Sequence, residues 1–272
     1  MRLIDTHAHV HAEAFDEDRA DVLERAYAAG VRRLINVGYD LPSSASSIEL
    51  ARLHRPIYAT AGIQPHYASA TGSTELDELR ALLAAPKIVA LGEIGLDYHH
   101  DRAPRSEQRS LFETQLALAG ELKLPVVIHS REAHADTVDV LRAVRPVLPV
   151  VMHSFSGDWD YAKACLELGA FLSFSGPLTF PKAVDLHDVA VRAPSDRILV
   201  ETDCPYLSPH PLRGRRNESA HVRLVAERLA ALRGCTLAEV AATVWHNACA
   251  VFALPEQADD ALPEGEMIDG GT

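Results

Sequence analysis

The chain has no apolar run approaching the roughly 20 residues that a membrane-spanning helix requires, and its opening Met1-Arg2-Leu3-Ile4-Asp5 lacks the apolar stretch of a secretory signal. A cytoplasmic location is therefore expected. There is no C-x-x-C pair, since Cys165, Cys204, Cys235 and Cys249 are scattered, and four free thiols are expected. Basic residues are scarce: 26 Lys+Arg against 38 Asp+Glu leave a net charge of −12. That balance argues against a sequence-independent nucleic-acid coat held by counterion release. A nucleic-acid substrate remains open, because bound divalent ions and a few local Arg residues can reverse the potential inside a cleft. Solenoid-type repeats and signs of a second domain are also missing. What is present is a globular balance of 47% apolar and 24% charged residues over 272 positions, a length that suits one α/β barrel.

Short β-branched runs recur with helical patterns between them. Eight strands are expected at Leu3 to Val10, Arg33 to Gly38, Ile57 to Ile63, Ile88 to Ile94, Pro125 to His129, Pro149 to His153, Ala170 to Phe174 and Ile198 to Thr202. Several are almost wholly apolar, such as Val126-Val127-Ile128 and Val150-Val151-Met152, as parallel strands covered on both faces must be. Amphipathic helices are expected at Glu17 to Ala29, ended by Gly30, and at Ser106 to Leu122. After the last strand, Pro205 to Ser219 reads as a loop and Ser219 to Ala231 as a helix; Thr236-Leu237-Ala238-Glu239 has the form of a capping box opening a final helix. Residues 1–254 thus form one domain, and 255–272 an acidic, aperiodic tail expected to be disordered. Alternating strands and helices fit either a (β/α)8 barrel or an open doubly wound sheet.

The strand ends favour closure. Alternation points Asp5, His7 and His9 of Asp5-Thr6-His7-Ala8-His9 to one side of the first strand. A lone H-x-H arises readily by chance. Four further strands, however, end in possible ligands: Gly92-Glu93-Ile94-Gly95-Leu96-Asp97, Ile128-His129-Ser130, Met152-His153-Ser154 and Glu201-Thr202-Asp203. A barrel gathers all its carboxyl ends on one face, where the active sites of this fold lie; an open sheet would not bring strands one, four, five, six and eight together. Burying Glu93, Asp203 and four imidazoles would be costly without a counter-charge. Six such groups exceed the needs of one tetrahedral ion, so two divalent ions (Mg, Mn or Zn) bridged by Glu93 are expected.

Together with Ile128-His129-Ser130-Arg131, His153-Ser154-Phe155-Ser156-Gly157 and Glu201-Thr202-Asp203-Cys204-Pro205-Tyr206-Leu207, these motifs resemble the TatD family of metal-dependent deoxyribonucleases. The resemblance runs from the first strand to the last helix. It implies a TIM barrel of the amidohydrolase-like superfamily, with His7, His9 and Asp203 on one ion, His129 and His153 on the other, and Glu93 shared. It also implies 3′-to-5′ exonuclease action on DNA, on single strands or 3′ ends, in repair. Two departures stand out: Gln64 replaces a usual His in Gly62-Ile63-Gln64-Pro65-His66, and Ser219 replaces a usual Pro in Arg216-Asn217-Glu218-Ser219.

Phosphodiester hydrolysis needs an activated water and neutralised phosphoryl charge, and a two-ion centre provides both. Asp203 is the expected general base beside its role as ligand, with Glu93 the second catalytic group. His66, Arg131, Arg213, Arg215 and Arg216 are candidates for holding phosphate, the loop after the eighth strand being a common phosphate cradle in barrels. Asp5 and Glu201 are candidates for orienting the ligand imidazoles from behind. Two other readings stay open: the same activated water on another bond, as in an amidase, lactonase, phosphotriesterase or deacylase of aminoacylated tRNA, and a non-catalytic metal-binding barrel. The absence of a Lys ligand on strands four and five argues against centres bridged by a carbamylated Lys.

Overall fold

The computed structural model describes residues 1–145 and 148–257. Eight parallel strands, β1 (Leu3–Ala8), β2 (Val31–Val37), β3 (Ile57–Ala61), β4 (Ile88–Asp97), β5 (Val126–Arg131), β6 (Val150–Met152), β7 (Phe171–Phe174) and β8 (Ile198–Val200), pair in sequence order. The nine α-helices among the described residues are α1 (Arg19–Ala28), α2 (Leu41–Leu53), α3 (Ser73–Leu83), α4 (Arg105–Leu122), α5 (His134–Val144), α6 (Trp159–Glu167), α7 (Val184–Arg192), α8 (Val222–Arg233) and α9 (Leu237–Val251). Beyond the ordered ladder, Asp203 N–H donates to His7 O at 2.8 Å and His9 N–H to Cys204 O at 2.8 Å. These bonds carry the chain after β8 back onto β1 and nearly close the barrel. No described helix is long and apolar enough to cross a membrane.

Local chemistry accounts for the element ends. Asp40 caps α2 by accepting from Ser43 N–H at 2.8 Å, and Asp158 caps α6 by accepting from Tyr161 N–H at 3.0 Å. Thr236 and Glu239 form the reciprocal box that opens α9. Gly234, at φ +65°, ends α8 in a left-handed conformation that costs glycine little. Ile4, Ile35, Val127, Val151 and Leu199 from five strands form one buried apolar cluster, each contributing roughly 1.5–3 kcal/mol by burial. Trp245 and Ala248 of α9, and Phe252 just after it, pack in the same cluster. The amino-terminal mouth is thereby plugged, and only the carboxyl-terminal mouth is left for chemistry.

Three expectations shift. The fourth strand continues past Ile94 to Asp97, ten residues in all. The helix expected from Ser219 instead begins with a 3-10 turn at Ser219–His221 and turns α-helical only at Val222, because Ser219 Oγ is committed to Asp5 Oδ2 at 2.6 Å. Of the tail expected at 255–272, residues 258–272 lie outside the described residues. Its first residues follow α9 closely: Glu256 O accepts from Trp245 Nε1 at 3.1 Å and Gln257 O from Arg33 Nη2 at 2.9 Å. All four cysteines are unpaired.

Candidate metal centre

At the open mouth, four imidazoles and two carboxylates from β1, β4, β5 and the residues that directly follow β1, β6 and β8 converge. Glu93 stands in the middle. Its Oε2 lies 3.5 Å from His7 Nε2 and 4.0 Å from His9 Nε2, while its Oε1 lies 3.0 Å from His129 Nδ1 and 3.2 Å from His153 Nε2. Asp203 Oδ1 completes the first set, 3.3 Å from His9 Nε2 and 3.6 Å from His7 Nε2. One carboxylate therefore faces two ligand sets, one with each oxygen. Asp203 holds its position in a left-handed backbone conformation, φ +59°. Non-glycine residues adopt it at a cost of order 1–3 kcal/mol, and such strain clusters at functional sites.

The outer partners of the imidazoles decide where their lone pairs point. His9 Nδ1 lies 2.8 Å from Val37 O, His129 Nε2 3.0 Å from Asp97 Oδ2, and His153 Nδ1 3.2 Å from Glu201 Oε1. Each outer nitrogen must carry the proton to satisfy its acceptor. The inner nitrogens of the neutral rings then present lone pairs, and His129 Nδ1 and His153 Nε2 face one another at 3.2 Å. His7 Nε2 and His9 Nε2 are similarly close, at 3.3 Å, and His7 Nδ1 is buried without a hydrogen-bond partner among the described residues. Facing lone pairs repel unless a cation or a proton lies between them. This donor set fits divalent metal ions, and the residues present could hold them on either side of Glu93.

Protons compete for the same positions. Burial works to lower the His153 pKa, but Glu93 and Glu201 outweigh it and hold the ring well above the usual imidazole range. His129 is raised against burial by Asp97 and Glu93, and His9 against burial by Asp203. Burial, with His153 beside it, pushes His7 down. Burial opposes ionisation of Glu93 and Asp203, yet the surrounding imidazoles keep Glu93 well below the carboxylate range and Asp203 below its own.

Glu201 lies behind His153, fully buried, and also accepts from Ser154 N–H at 2.6 Å and from the Ser173 hydroxyl. Asp5 lies elsewhere. The β1 register is irregular between Asp5 and Ala8, which breaks the simple alternation expected from the sequence. The Asp5 carboxylate therefore meets no ligand imidazole; it accepts from Thr202 N–H, Thr202 Oγ1 and Ser219 Oγ at 2.9, 2.6 and 2.6 Å, bracing β1 to the chain after β8. The Ser219 departure thus supplies a buried hydrogen bond that proline could not.

The mouth opens into a cleft of about 800 Å³, lined in part by Gln64, His66, Arg102, Arg131 and Tyr206. Arg213, Arg215 and Arg216 are not among its lining residues. Arg216 is turned away, paired with Asp18 at 2.6–2.8 Å and stacked on Phe15, and Arg213 lies over Phe180. Arg102 and the expected Arg131 do line the cleft. Sequence reading also gave Asp97 no role. Four residues beyond Glu93 on the same strand, it shares the face of Glu93 by alternation, a signal that was available.

Comparison with known proteins agrees with this geometry. The model of the "TatD related DNase" family matches residues 4–253. The uncharacterized metal-dependent hydrolase YabD of Bacillus subtilis is 41% identical over 92% of this chain and 98% of its own. The 3′-5′ ssDNA/RNA exonuclease TatD of Erwinia tasmaniensis is 35% identical over 93% of this chain and 100% of its own. The crystal structure of YJJV, a TatD homologue from Escherichia coli, superposes with a TM-score of 0.89 at 32% identity, over 93% of this chain and 99% of that one. A barrel with this ligand cluster at its mouth, matched along nearly its whole length, belongs to the TatD family of metal-dependent hydrolases.

Proposed function

We propose that the chain is a 3′-to-5′ exonuclease acting on single-stranded DNA with two divalent ions, one held by His7, His9 and Asp203, the other by His129 and His153, with Glu93 shared. The observation that carries this reading is the division of Glu93, whose two oxygens face separate sets of imidazole nitrogens at 3.0–4.0 Å. When bound, such ions draw charge from a phosphate and make an adjoining water acidic. Four imidazoles favour Zn or Mn over Mg.

The remaining roles fall to the protein's own groups. Asp203, held ionised by its imidazole neighbours, accepts the proton of the attacking water. Glu201 and Asp97 fix the outward protons of His153 and His129, keeping the inner nitrogens free. Arg102 and Arg131 on the cleft wall bind phosphate oxygens, and the exposed Tyr206 offers a ring to a base. A cleft of about 800 Å³ lies within the size range of small-ligand sites, which suits a strand end better than a duplex. The relative from Erwinia tasmaniensis, named for ssDNA/RNA 3′-5′ exonuclease activity, points the same way.

The test is a time course on single strands labelled at either end, with metal-loaded protein. Mononucleotide release that removes a 3′ label first and shortens a 5′-labelled strand stepwise is expected. Intact oligonucleotides beside hydrolysis of a D-aminoacyl-tRNA or a cyclic amide would overturn the assignment.

A further inference from the structure

Next to the centre, on the wall of the same cleft, a second group of potential ligands shares no residue with the six above. His66 Nε2 lies 3.1 Å and His100 Nδ1 2.9 Å from the same oxygen, Oδ2, of Asp97. His129 Nε2 reaches that oxygen too, at 3.0 Å. A carboxylate oxygen offers about two lone-pair directions, so three imidazole N–H groups overcrowd it. His129 is committed to the contact, because its other nitrogen faces Glu93. The other two rings have no such constraint, and a cation would remove the crowding.

We propose that His66, His100 and Asp97 form a third divalent-cation site. The three ligand atoms lie within 4.8 Å of one another. The observed 2.9 and 3.1 Å separations lie within about half an ångström of the roughly 3.0–3.4 Å between neighbouring ligands of an octahedral or tetrahedral ion with bonds of about 2.1 Å, a difference that a small ring rotation closes. The carboxylate is already oriented: Asp97 Oδ1 accepts from the backbone N–H groups of His99 at 3.0 Å and His100 at 2.8 Å. Asp97 is wholly buried, His66 half-buried and His100 exposed, and both histidines line the cleft. The ion exchanges with solvent, therefore, and binds more weakly than ions enclosed around Glu93. Three protein ligands leave a position for water or for a phosphate oxygen. Two imidazoles and one carboxylate select Zn, Co or Mn over Mg.

The site is read by stoichiometry, independently of which bond the neighbouring centre hydrolyses. Metal-stripped full-length protein is titrated with Co²⁺ by calorimetry and visible absorption, alongside the variants His100→Ala and His66→Ala. One equivalent weaker than the rest is expected in the parent, its affinity reduced at least tenfold in each variant while the tighter binding is unchanged. His100 lies at the surface, so its variant should fold, and circular dichroism checks this. Absence of the weaker equivalent in the parent overturns the proposal. So does its persistence at equal affinity in both variants, which would mark an adventitious ion only.

Discussion

Replacing Glu201 by Gln isolates what a buried negative charge behind a ligand imidazole contributes. Glu201 Oε1 accepts from His153 Nδ1 and Ser154 N–H, and Oε2 from Ser173. An amide of the same shape can keep its oxygen toward His153 and Ser154 and turn its NH2 to Ser173, whose hydroxyl is free to swing toward Thr6 Oγ1 at 3.2 Å. The hydrogen bonds and the ring orientation survive; the charge does not. Loss of such outer partners weakens metal binding by roughly 10–100-fold, about 1.4–2.7 kcal/mol. At free metal about 100 times the parent dissociation constant, the parent gains about 2.7 kcal/mol of stability from one ion and the variant only about 0.4–1.4. At roughly 2–4 °C per kcal/mol for a chain of this size, the metal-induced rise in Tm should shrink by about 3–9 °C. Thermal denaturation in metal-buffered solution, with a chelated control for each protein, measures it. An equal increment in Glu201→Gln and parent would refute the view that this carboxylate tunes the ligand.

Three other outcomes follow from the same geometry. Asp203→Asn keeps its shape but cannot take a proton; turnover on a 3′-labelled strand should fall by roughly 10²–10⁴ with the circular dichroism spectrum retained, and undiminished turnover would remove Asp203 from the reaction. Ser219→Ala deprives Asp5 of a buried donor, costing about 1–2 kcal/mol. Burial pushes the Asp5 pKa up to about 7, against the bonds from Ser219 and Thr202. Asp5 therefore ionises in the fold only near pH 7, and the loss in Tm should be larger at pH 8 than at pH 5; a pH-independent loss would contradict this. Finally, the imidazoles His9, His129 and His153 are held above 6.5, so the stability they lend to metal-free protein is complete below about pH 6.5 and disappears as pH rises through their folded values. Metal needs those nitrogens unprotonated. The Tm of chelated protein should fall as pH rises above about 6.5 while that of metal-loaded protein does not, and parallel curves would be inconsistent with competition between protons and ions.

Much of the barrel was legible because its strands are buried on both faces and therefore apolar throughout, as in Val126-Val127-Ile128, while the helices between them keep one wet side. The candidate ligands stood out because histidine and acid at the ends of otherwise apolar strands are costly unless something offsets them. Asp5 was misread because alternation assumes an even pleat, and the irregular register after it turns His7 and the Asp5 carboxylate to different neighbours. Arg216 was misread because a loop rich in arginine does not reveal its partner; Asp18, distant in sequence, takes it.

The pattern of residues along the chain determined which segments become strand or helix, and which strand ends carry groups able to bind metal, because periodicity and burial are local properties. Closure of the sheet decided the rest. Only the assembled barrel brings Glu93 between two imidazole pairs and sets Asp97 and Glu201 behind them. It also selects Arg102 and Arg131 for the cleft. Hydrogen bonds of a few ångströms between residues dozens of positions apart depend on strand stagger and register, which no stretch of sequence encodes by itself.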